Sequence, residues 1–346
     1  MSVRLIDFDQ DRDRQAWDHF VHDHPDGSPF HSSAWMRALT VGFGHQVFGV
    51  MVEQDQQVVG LFPLSMIRSR LFGNRLISNA FAVQAGDLAQ DAQIRRIMDD
   101  AAKNLCTKHR LSWIEVRAHK HHRRDWMTRS DDYSVFEAPI AADRDAVLKA
   151  IPRKQRAEVR RSLTYGLQMR ITQDVEAFRK LYARSLHRLG TPLFPRKWFE
   201  ALQHFFGPLL EMAVVMDAEE RVVASLLSLY HGQTVYPYYV GGNDRTRALR
   251  AHDFLYFNQM NHARDHHSCT RFSFGRSKIG TGAWHFKKNW GFQPQQFHVE
   301  YWSPSEEKLE VLNPLSPKYR MKAHLWSKMP AIIADNLGPL ISPGLG

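Results

Sequence analysis

One succession of elements occurs twice in this chain, about 160 positions apart, and a duplicated unit constrains a fold more than any single motif does. The first copy starts at HQVFGVMVEQDQQVVGLFPLSMI, residues 45–67, where two β-branched runs flank a polar turn at 53–57 and predict a hairpin. The stretch RLISNAFAVQAGD, 75–87, reads as extended and ends near Gly86. Ile94, Ile97, Met98, Ala101, Ala102 and Leu105 then recur at three- and four-residue intervals, the spacing of one helix face. SWIEVRA, 112–118, reads as the closing strand.

The second copy repeats that order. Residues 209–232 hold two apolar runs across a polar turn at 217–220, and QTVYPYYVGGN, 233–243, is the extended stretch ending in glycines. A helix is predicted in RALRAHDFLYFNQMNHARDHH, with Leu249, Phe254, Phe257, Met260 and Asn261 near one stripe, and TRFSFG, 270–275, follows as a strand. The order predicts an α/β (α+β) protein of two similar units. A single mixed α/β domain whose alternation is fortuitous is the alternative.

Composition narrows the class. A chain of 346 residues buries a core without staples, and two cysteines, Cys106 and Cys269, exclude both a disulfide scaffold and a four-thiolate zinc site. No window approaches the roughly 18 apolar residues of a membrane span, and the acidic N-terminal stretch has no apolar run of a signal peptide, so a cytoplasmic protein is expected. The formal net charge of +10 favours an anionic partner: a nucleic acid, a phosphorylated small molecule, a nucleotide-linked lipid precursor or an anionic membrane surface.

Between the copies, DRDAVLKAIPRKQRAEVRRSLTYGL, 143–167, predicts a basic helix with Pro152 in its first turn and Gly166 as its cap. Arg153, Arg156 and Arg160 fall on one face, either as an anion-docking surface or as a solvated inter-domain helix. Past 303 the chain becomes proline-rich. Residues 318–335 mix basic groups with Leu325, Trp326, Met329, Ile332 and Ile333, as a clamp between domains or a membrane-surface segment, and Pro330 opposes one long helix.

Two glycine-containing segments could carry chemistry. In VGGNDRTRALRAHD, Gly241 and Gly242 feed a helix whose backbone N–H groups, with Arg247 nearby, could cradle a phosphate; a plain turn is the other reading. The spacing matches neither the dinucleotide fingerprint nor the triphosphate loop. The denser patch is FSFGRSKIGTGAWHFKKNWGFQP, 272–294, where Arg276, Ser277, Lys278, Lys287 and Lys288 surround Gly275, Gly280 and Gly282. A short helix would present Phe286 and Trp290 to the core, with Lys287 placed to stabilise an acyl-transfer oxyanion or grip a phosphate; basic residues solvating an aromatic helix is the alternative. Tyr238 and Tyr239 could stack on a substrate or be structural, and Asp253 could act as a base. His119, His121 and His122, like His266 and His267, lack zinc-binding spacing, so no metal is expected. Cys106 lies on an apolar helix stripe, and no serine nucleophile elbow is present.

Three segments carry a family resemblance: IPRKQRAEVRRSLTYGL (151–167), PYYVGGNDRTRALRAHDFLYF (237–257) and FSFGRSKIGTGAWHFKKNWGFQP (272–294), above all FGRSK, GTG and FKKNWGF in that order. The sequence resembles the FemAB-related family, in the branch associated with exosortase (PEP-CTERM) sorting and exopolysaccharide clusters. That resemblance implies two tandem acetyltransferase-like (GNAT) domains with mixed, mostly antiparallel sheets, over 1–145 and 146–305, and a C-terminal extension over 306–346. It implies an N-acyltransferase or aminoacyltransferase joining an activated donor to an amine of a cell-envelope or exopolysaccharide precursor. Lys287 corresponds there to a lysine that holds substrate phosphate or stabilises charge. Beside it, the reading of the residues themselves places Asp253 as a catalytic candidate, Tyr238, Tyr239, Arg276, Ser277 and Lys288 toward substrate, and Gly241, Gly242 and Arg247 toward a cofactor. No tightly bound cofactor is implied; acyl-CoA or aminoacyl-tRNA would be the co-substrate. The long coiled-coil arm of some relatives is missing, as is the acetyltransferase phosphate-loop pattern in both repeats, so the donor stays open between the two. Expected partners are an anionic small molecule or lipid-linked precursor, with tRNA and peripheral inner-membrane contact as further options and no DNA. A transferase fold that only binds such a precursor, or a partner protein, is the non-enzymatic alternative.

Overall fold

A computed structural model describes residues 1–118, 120, 123–305 and 317–346; His119, His121, His122 and the first part of the extension, 306–316, lie outside the described residues. The first lobe runs β1 (Ser2–Ile6), α1 (Asp11–Asp23), α2 (Ser33–Phe43), β2 (Gln46–Gln54), β3 (Gln57–Ile67), β4 (Arg75–Ile77), β5 (Leu88–Ala89), α3 (Ala92–Lys108), β6 (Trp113–Ala118) and β7 (Met127–Arg129). After β8 (Tyr133–Pro139), α4 (Arg144–Ala150) and α5 (Arg153–Ser162), the second lobe runs β9 (Gln168–Thr172), α6 (Val175–Arg188), α7 (Arg196–Phe206), β10 (Leu210–Met216), β11 (Val222–His231), β12 (Thr234–Gly242), α8 (Ala251–His267) and β13 (Arg271–Lys278). Short α9 (Gly282–Asn289), β14 (Pro294–Gln296) and β15 (His298–Trp302) follow, then α10 (Pro317–Lys328) and α11 (Ala331–Ile341). Strand, two helices, a hairpin, a third strand, a helix and a strand occur in each lobe in that order, and the repeat read from the sequence is real.

Local chemistry sets the hairpins. Asp55 and Gln56 both adopt positive φ, as a tight two-residue turn between β2 and β3 requires. At the β10–β11 turn, the Asp217 carboxylate accepts from the backbone N–H groups of Glu219 and Arg221 at 3.1 and 3.0 Å. In α3 the predicted stripe is the buried one: Ile94, Met98, Ala102, Leu105 and Cys106 pack on the first sheet.

Two sequence expectations change here. The basic segment 143–167 forms two helices rather than one, because Pro152 offers no N–H and disfavours helical backbone at Ile151. The helix predicted from Arg247 starts only at Ala251, because Arg250 takes a left-handed conformation (φ 51°) and residues 243–250 close as turns.

The first sheet is ordered β1-β2-β3-β4-β6-β15-β7 and the second β14-β8-β13-β12-β11-β10-β9. The lobes trade strands. β8, from before residue 145, pairs with β13 in the second sheet, while β15 returns from before residue 305 to pair with β6 in the first. A shared core lies between the lobes, where Trp35 and Trp198 meet edge to face at 5.1 Å beside Phe30, Phe199 and Phe297. Each such fully buried aromatic side chain contributes on the order of 1.5–3 kcal/mol. Helix α2 approaches α7 closely enough that a Cβ on Gly42 would sit 2.8 Å from the Trp198 Cα. The tail touches both lobes: His187 Nε2 lies 2.8 Å from the Met329 carbonyl, and Arg75 donates to the Leu345 carbonyl at 2.6 Å. No described helix is long and apolar enough to cross a membrane.

Candidate functional site

The site begins with a gap in a sheet. β12 and β13 are parallel neighbours, but they pair only at Thr234–Arg271 and Val235–Phe272 and then part. The opening holds a cavity of about 410 Å³, lined on one side by Tyr236, Tyr238 and Val240, on the other by Ser273, Gly275 and Ser277, with Lys287 at its wall. The first lobe has the same parallel pair, β4 with β6. There the chain fills the gap itself: Ser78 and Ala85 hydrogen-bond to the Glu115 and Arg117 carbonyls, and Ala80, Ala82 and Ala85 are fully buried.

Lys287 is held by a backbone device that the FGRSK sequence creates. Gly275 takes φ 63°, a conformation suited to glycine, at a bulge where β13 slips register against β8. The bulge turns three successive carbonyls, those of Phe274, Gly275 and Arg276, toward one point. Lys287 Nζ donates to them at 2.6, 3.2 and 3.2 Å. Three acceptors match the three N–H groups of an ammonium. Burial, with the Arg276 guanidinium adding to it, pushes the Lys287 pKa down to about 7, so both protonation states are present near neutrality. Although the residue as a whole is only partly buried, its charged end is enclosed.

The structure gathers Arg276, Ser277, Tyr238 and Lys287 around this cleft. Tyr238 donates its hydroxyl to the Phe81 carbonyl, bringing a first-lobe segment to the rim. Tyr239 is not brought there: it faces the opposite side of β12, within 5.7 Å of the Tyr182, Phe194 and Phe199 rings. Lys288 is exposed and lies 4.6 Å over the Trp284 ring, away from the carbonyl cluster.

Asp253 lines an adjoining cavity with Arg188, Arg247, Arg250 and Gln155, and His252 and Phe286 line both cavities. Its carboxylate accepts from Gln155 Nε2 at 2.6 Å, and burial, reinforced by Glu158, pushes its pKa up to about 6. Arg250 is paired with Glu158 at 2.6 Å, whereas Arg247 is exposed beside the first turn of α8. Gly241 and Gly242 are spent on packing. A Cβ at Gly241 would collide with the Tyr182 backbone, and the Gly242 N–H is taken by the Ser185 hydroxyl at 2.9 Å. On the basic helix, Arg153 and Arg160 are exposed, but Arg156 turns back to the carbonyls of Ile151 and Lys149 at 3.0 and 2.9 Å, where the break at Pro152 leaves the end of α4 short of donors.

His252 escaped the sequence reading. Its Nε2 lies 3.3 Å from the Gly241 carbonyl, and burial lowers its pKa, which keeps the imidazole neutral at pH 7. Its only sequence signal was its place beside Asp253 at the start of a helix that follows a glycine-ended strand. Among the described residues, one His/carboxylate group could hold a cation: Glu211, His262 and His267, at the far end of α8. In the structure the Glu211 carboxylate accepts from Tyr230 at 2.6 Å and lies 2.9 and 3.0 Å from the two imidazoles.

Comparison with known proteins agrees with this geometry. Residues 149–288 match a family described as an acetyltransferase (GNAT) domain. No curated protein matches the chain. Among solved structures, FemX superposes with a TM-score of 0.64 at 16% identity, covering 93% of this chain and 100% of its own. A tandem GNAT protein from the clavulanic acid biosynthesis pathway gives 0.58 at 10% identity, over 89% and 99%. Saccharomyces cerevisiae N-myristoyltransferase with bound myristoyl-CoA gives 0.55 at 12% identity, over 87% and 78%. Two mixed sheets, each with a parallel pair flanked by antiparallel strands, together with these likenesses establish that the chain carries the GNAT acyltransferase fold twice, in tandem.

Proposed function

We propose that the protein transfers an acyl or aminoacyl group from an activated ester or thioester to an amine of a cell-envelope or exopolysaccharide precursor, forming an amide. The observation that carries this reading is the parted β12/β13 pair with Lys287 and neutral His252 on its wall. The acceptor amine attacks the donor carbonyl and gives up a proton. His252 is suited to take it, since the Nε2 contact with Gly241 leaves Nδ1 as the free acceptor; Asp253, with its pKa near 6, stands next to it in the adjoining cavity. The Lys287 ammonium meets the developing oxyanion by exchanging one of its carbonyl contacts for it. The tetrahedral intermediate then collapses: the C–S or C–O bond to the donor breaks, and the leaving thiolate or alkoxide takes up the proton held by the base. No covalent enzyme intermediate is needed.

Arg247, exposed in the lining of the adjoining cavity beside the start of α8, would receive the phosphates of a donor. The likeness to an N-myristoyltransferase with bound myristoyl-CoA supports an acyl-CoA donor, and the likeness to FemX supports the FemAB-like reading. One observation favours the non-enzymatic alternative, a fold that only binds an anionic precursor: among the described residues, each hydrogen bond of Lys287 Nζ is to a backbone carbonyl. The test is amide formation, followed by mass spectrometry, from aminoacyl-tRNAs or acyl-CoAs with precursor extracts. Lys287→Met should lower kcat/KM about a hundredfold, as loss of one oxyanion contact does, and Lys288→Met should leave it unchanged. Equal kcat/KM for wild type and Lys287→Met would remove the lysine from the mechanism.

A further inference from the structure

A second cavity, of about 230 Å³, adjoins the cleft and shares Arg276 with it. Four guanidinium groups line it, from Arg75, Arg117, Arg129 and Arg276, against two carboxylates, Glu115 and Asp132. Both carboxylates are already engaged. Glu115 binds Arg117 at 2.9 Å and lies 4.0 Å from Arg75, and Asp132 binds Arg129 at 2.7 Å. The side chains of the lining therefore carry two more positive than negative charges.

Arg276 stands apart from the other three. Among the described residues its guanidinium has no hydrogen-bond or ion-pair partner; it lies 4.6 Å over the Tyr133 ring and 5.5 Å from Phe297. A guanidinium seated over aromatic rings, with no acceptor of its own, keeps N–H groups available for an oxyanion. Leaving those donors unpaired in a confined site costs free energy that a bound oxyanion would recover. Arg75 also donates to the Phe72 carbonyl and Arg117 to the Ala82 carbonyl, at 3.1 and 3.2 Å, and one Nη of each reaches a strap formed by residues 342–346: Arg75 to the Leu345 and Gly344 carbonyls at 2.6 and 3.4 Å, and Arg117 to a main-chain oxygen of Gly346 at 3.1 Å. These main-chain oxygens occupy guanidinium N–H groups that would otherwise meet an outside oxyanion. The strap fits closely, since a Cβ on Gly344 would lie 2.6 Å from Ser69 Oγ and 3.1 Å from the Phe72 ring.

We propose that this cavity is an oxyanion site, for a phosphate or a carboxylate, which the 342–346 strap covers with its main-chain oxygens when no anion is bound. Its position makes it the anchor for an anionic group of the acceptor, a point that rests on the function proposed above; the anion site itself does not depend on it. Calorimetric titration of the full chain with inorganic pyrophosphate, and separately with succinate, tests the site without any acyl donor and decides between the two sources. Wild type should bind at least one of them. Gly344→Leu, which expels the strap, should bind it about fivefold or more tighter, because the competing closed state is removed. Arg276→Gln, which breaks no hydrogen bond of the folded chain, should weaken binding about tenfold, the usual worth of a charge-assisted contact. A chain ending at Ser342 replaces Gly344→Leu if that variant does not melt cooperatively. No binding of either anion by wild type and the strap variants, or unchanged binding by Arg276→Gln, overturns the site; equal affinity with and without the strap overturns the cover.

Discussion

Replacing Lys287 by Met changes how stability depends on pH, and the size of the effect follows from the site. Burial and Arg276 lower the pKa of this lysine from 10.5 to about 7. Between those values the unfolded chain binds a proton that the folded chain has released, so folding is favoured more as pH rises. The destabilisation is complete below about pH 7 and gone above 10.5. Each pH unit inside the window contributes about 1.4 kcal/mol, for a total of at most about 5 kcal/mol. Lys287→Met abolishes this dependence. It also strips the donor from the carbonyls of Phe274, Gly275 and Arg276, each costing about 1–3 kcal/mol if left unpaired. Near pH 7 the relief and the loss oppose one another, and by pH 9.5 wild type should be clearly the more stable. Urea unfolding of both proteins from pH 6.5 to 9.5 measures the difference, in which groups common to both cancel. A gap that widens by about 1.4 kcal/mol per pH unit above pH 7.5 is expected. Parallel curves would show that the ammonium is not desolvated and would refute the reasoning.

Other predictions concern the frame around the site. Arg123 is buried between Asp87, Asp99 and Glu300 at 2.6 to 2.8 Å and ties β15 to the first lobe, so Arg123→Met should cost about 3–5 kcal/mol in urea unfolding. Gly241→Ala should destabilise by about 1–3 kcal/mol, read by thermal melting, because the new methyl meets the α6 backbone rather than a side chain that can move. Hydrogen bonds from His262, Tyr230 and His267 outweigh burial and hold Glu211 at about 2, below its usual 4.5. Its stabilisation is present above about pH 4.5 and is lost as pH falls toward 2, and Glu211→Gln should remove that part of the acid-unfolding profile.

What the sequence showed, and what it hid, divides along physical lines. Hairpins and amphipathic helices are written in neighbouring residues, so β2–β3, β10–β11 and α3 were legible, as was the duplication. The strand exchange was not, because the pairings of β8 with β13 and β15 with β6 are between segments more than 130 residues apart and leave no local pattern. Ser277, Arg276 and Lys287 were legible because a glycine-rich turn and a short helix bring them together within a dozen positions. Val83, Arg117 and the Phe81 carbonyl come from the other lobe, and no spacing announces them. Tyr239 illustrates a signal that was present and unused: the two-residue period of a strand already puts it on the opposite face from Tyr238. Arg156 illustrates the reverse, since its helix position suggested docking while the carbonyls freed at Pro152 claim its guanidinium.

The central claim is that the opening between β12 and β13 receives the acyl donor. A crystal structure of the full chain with a non-reactive thioether analogue of an acyl-CoA, or with an amide-linked aminoacyl-tRNA end, tests it most directly. The account predicts density for the acyl group between Val240 and Ser277, beside His252 and Lys287, with donor phosphates toward Arg247. A donor seated instead at the β4/β6 pair of the first lobe, or on the exposed face of α5, would contradict it.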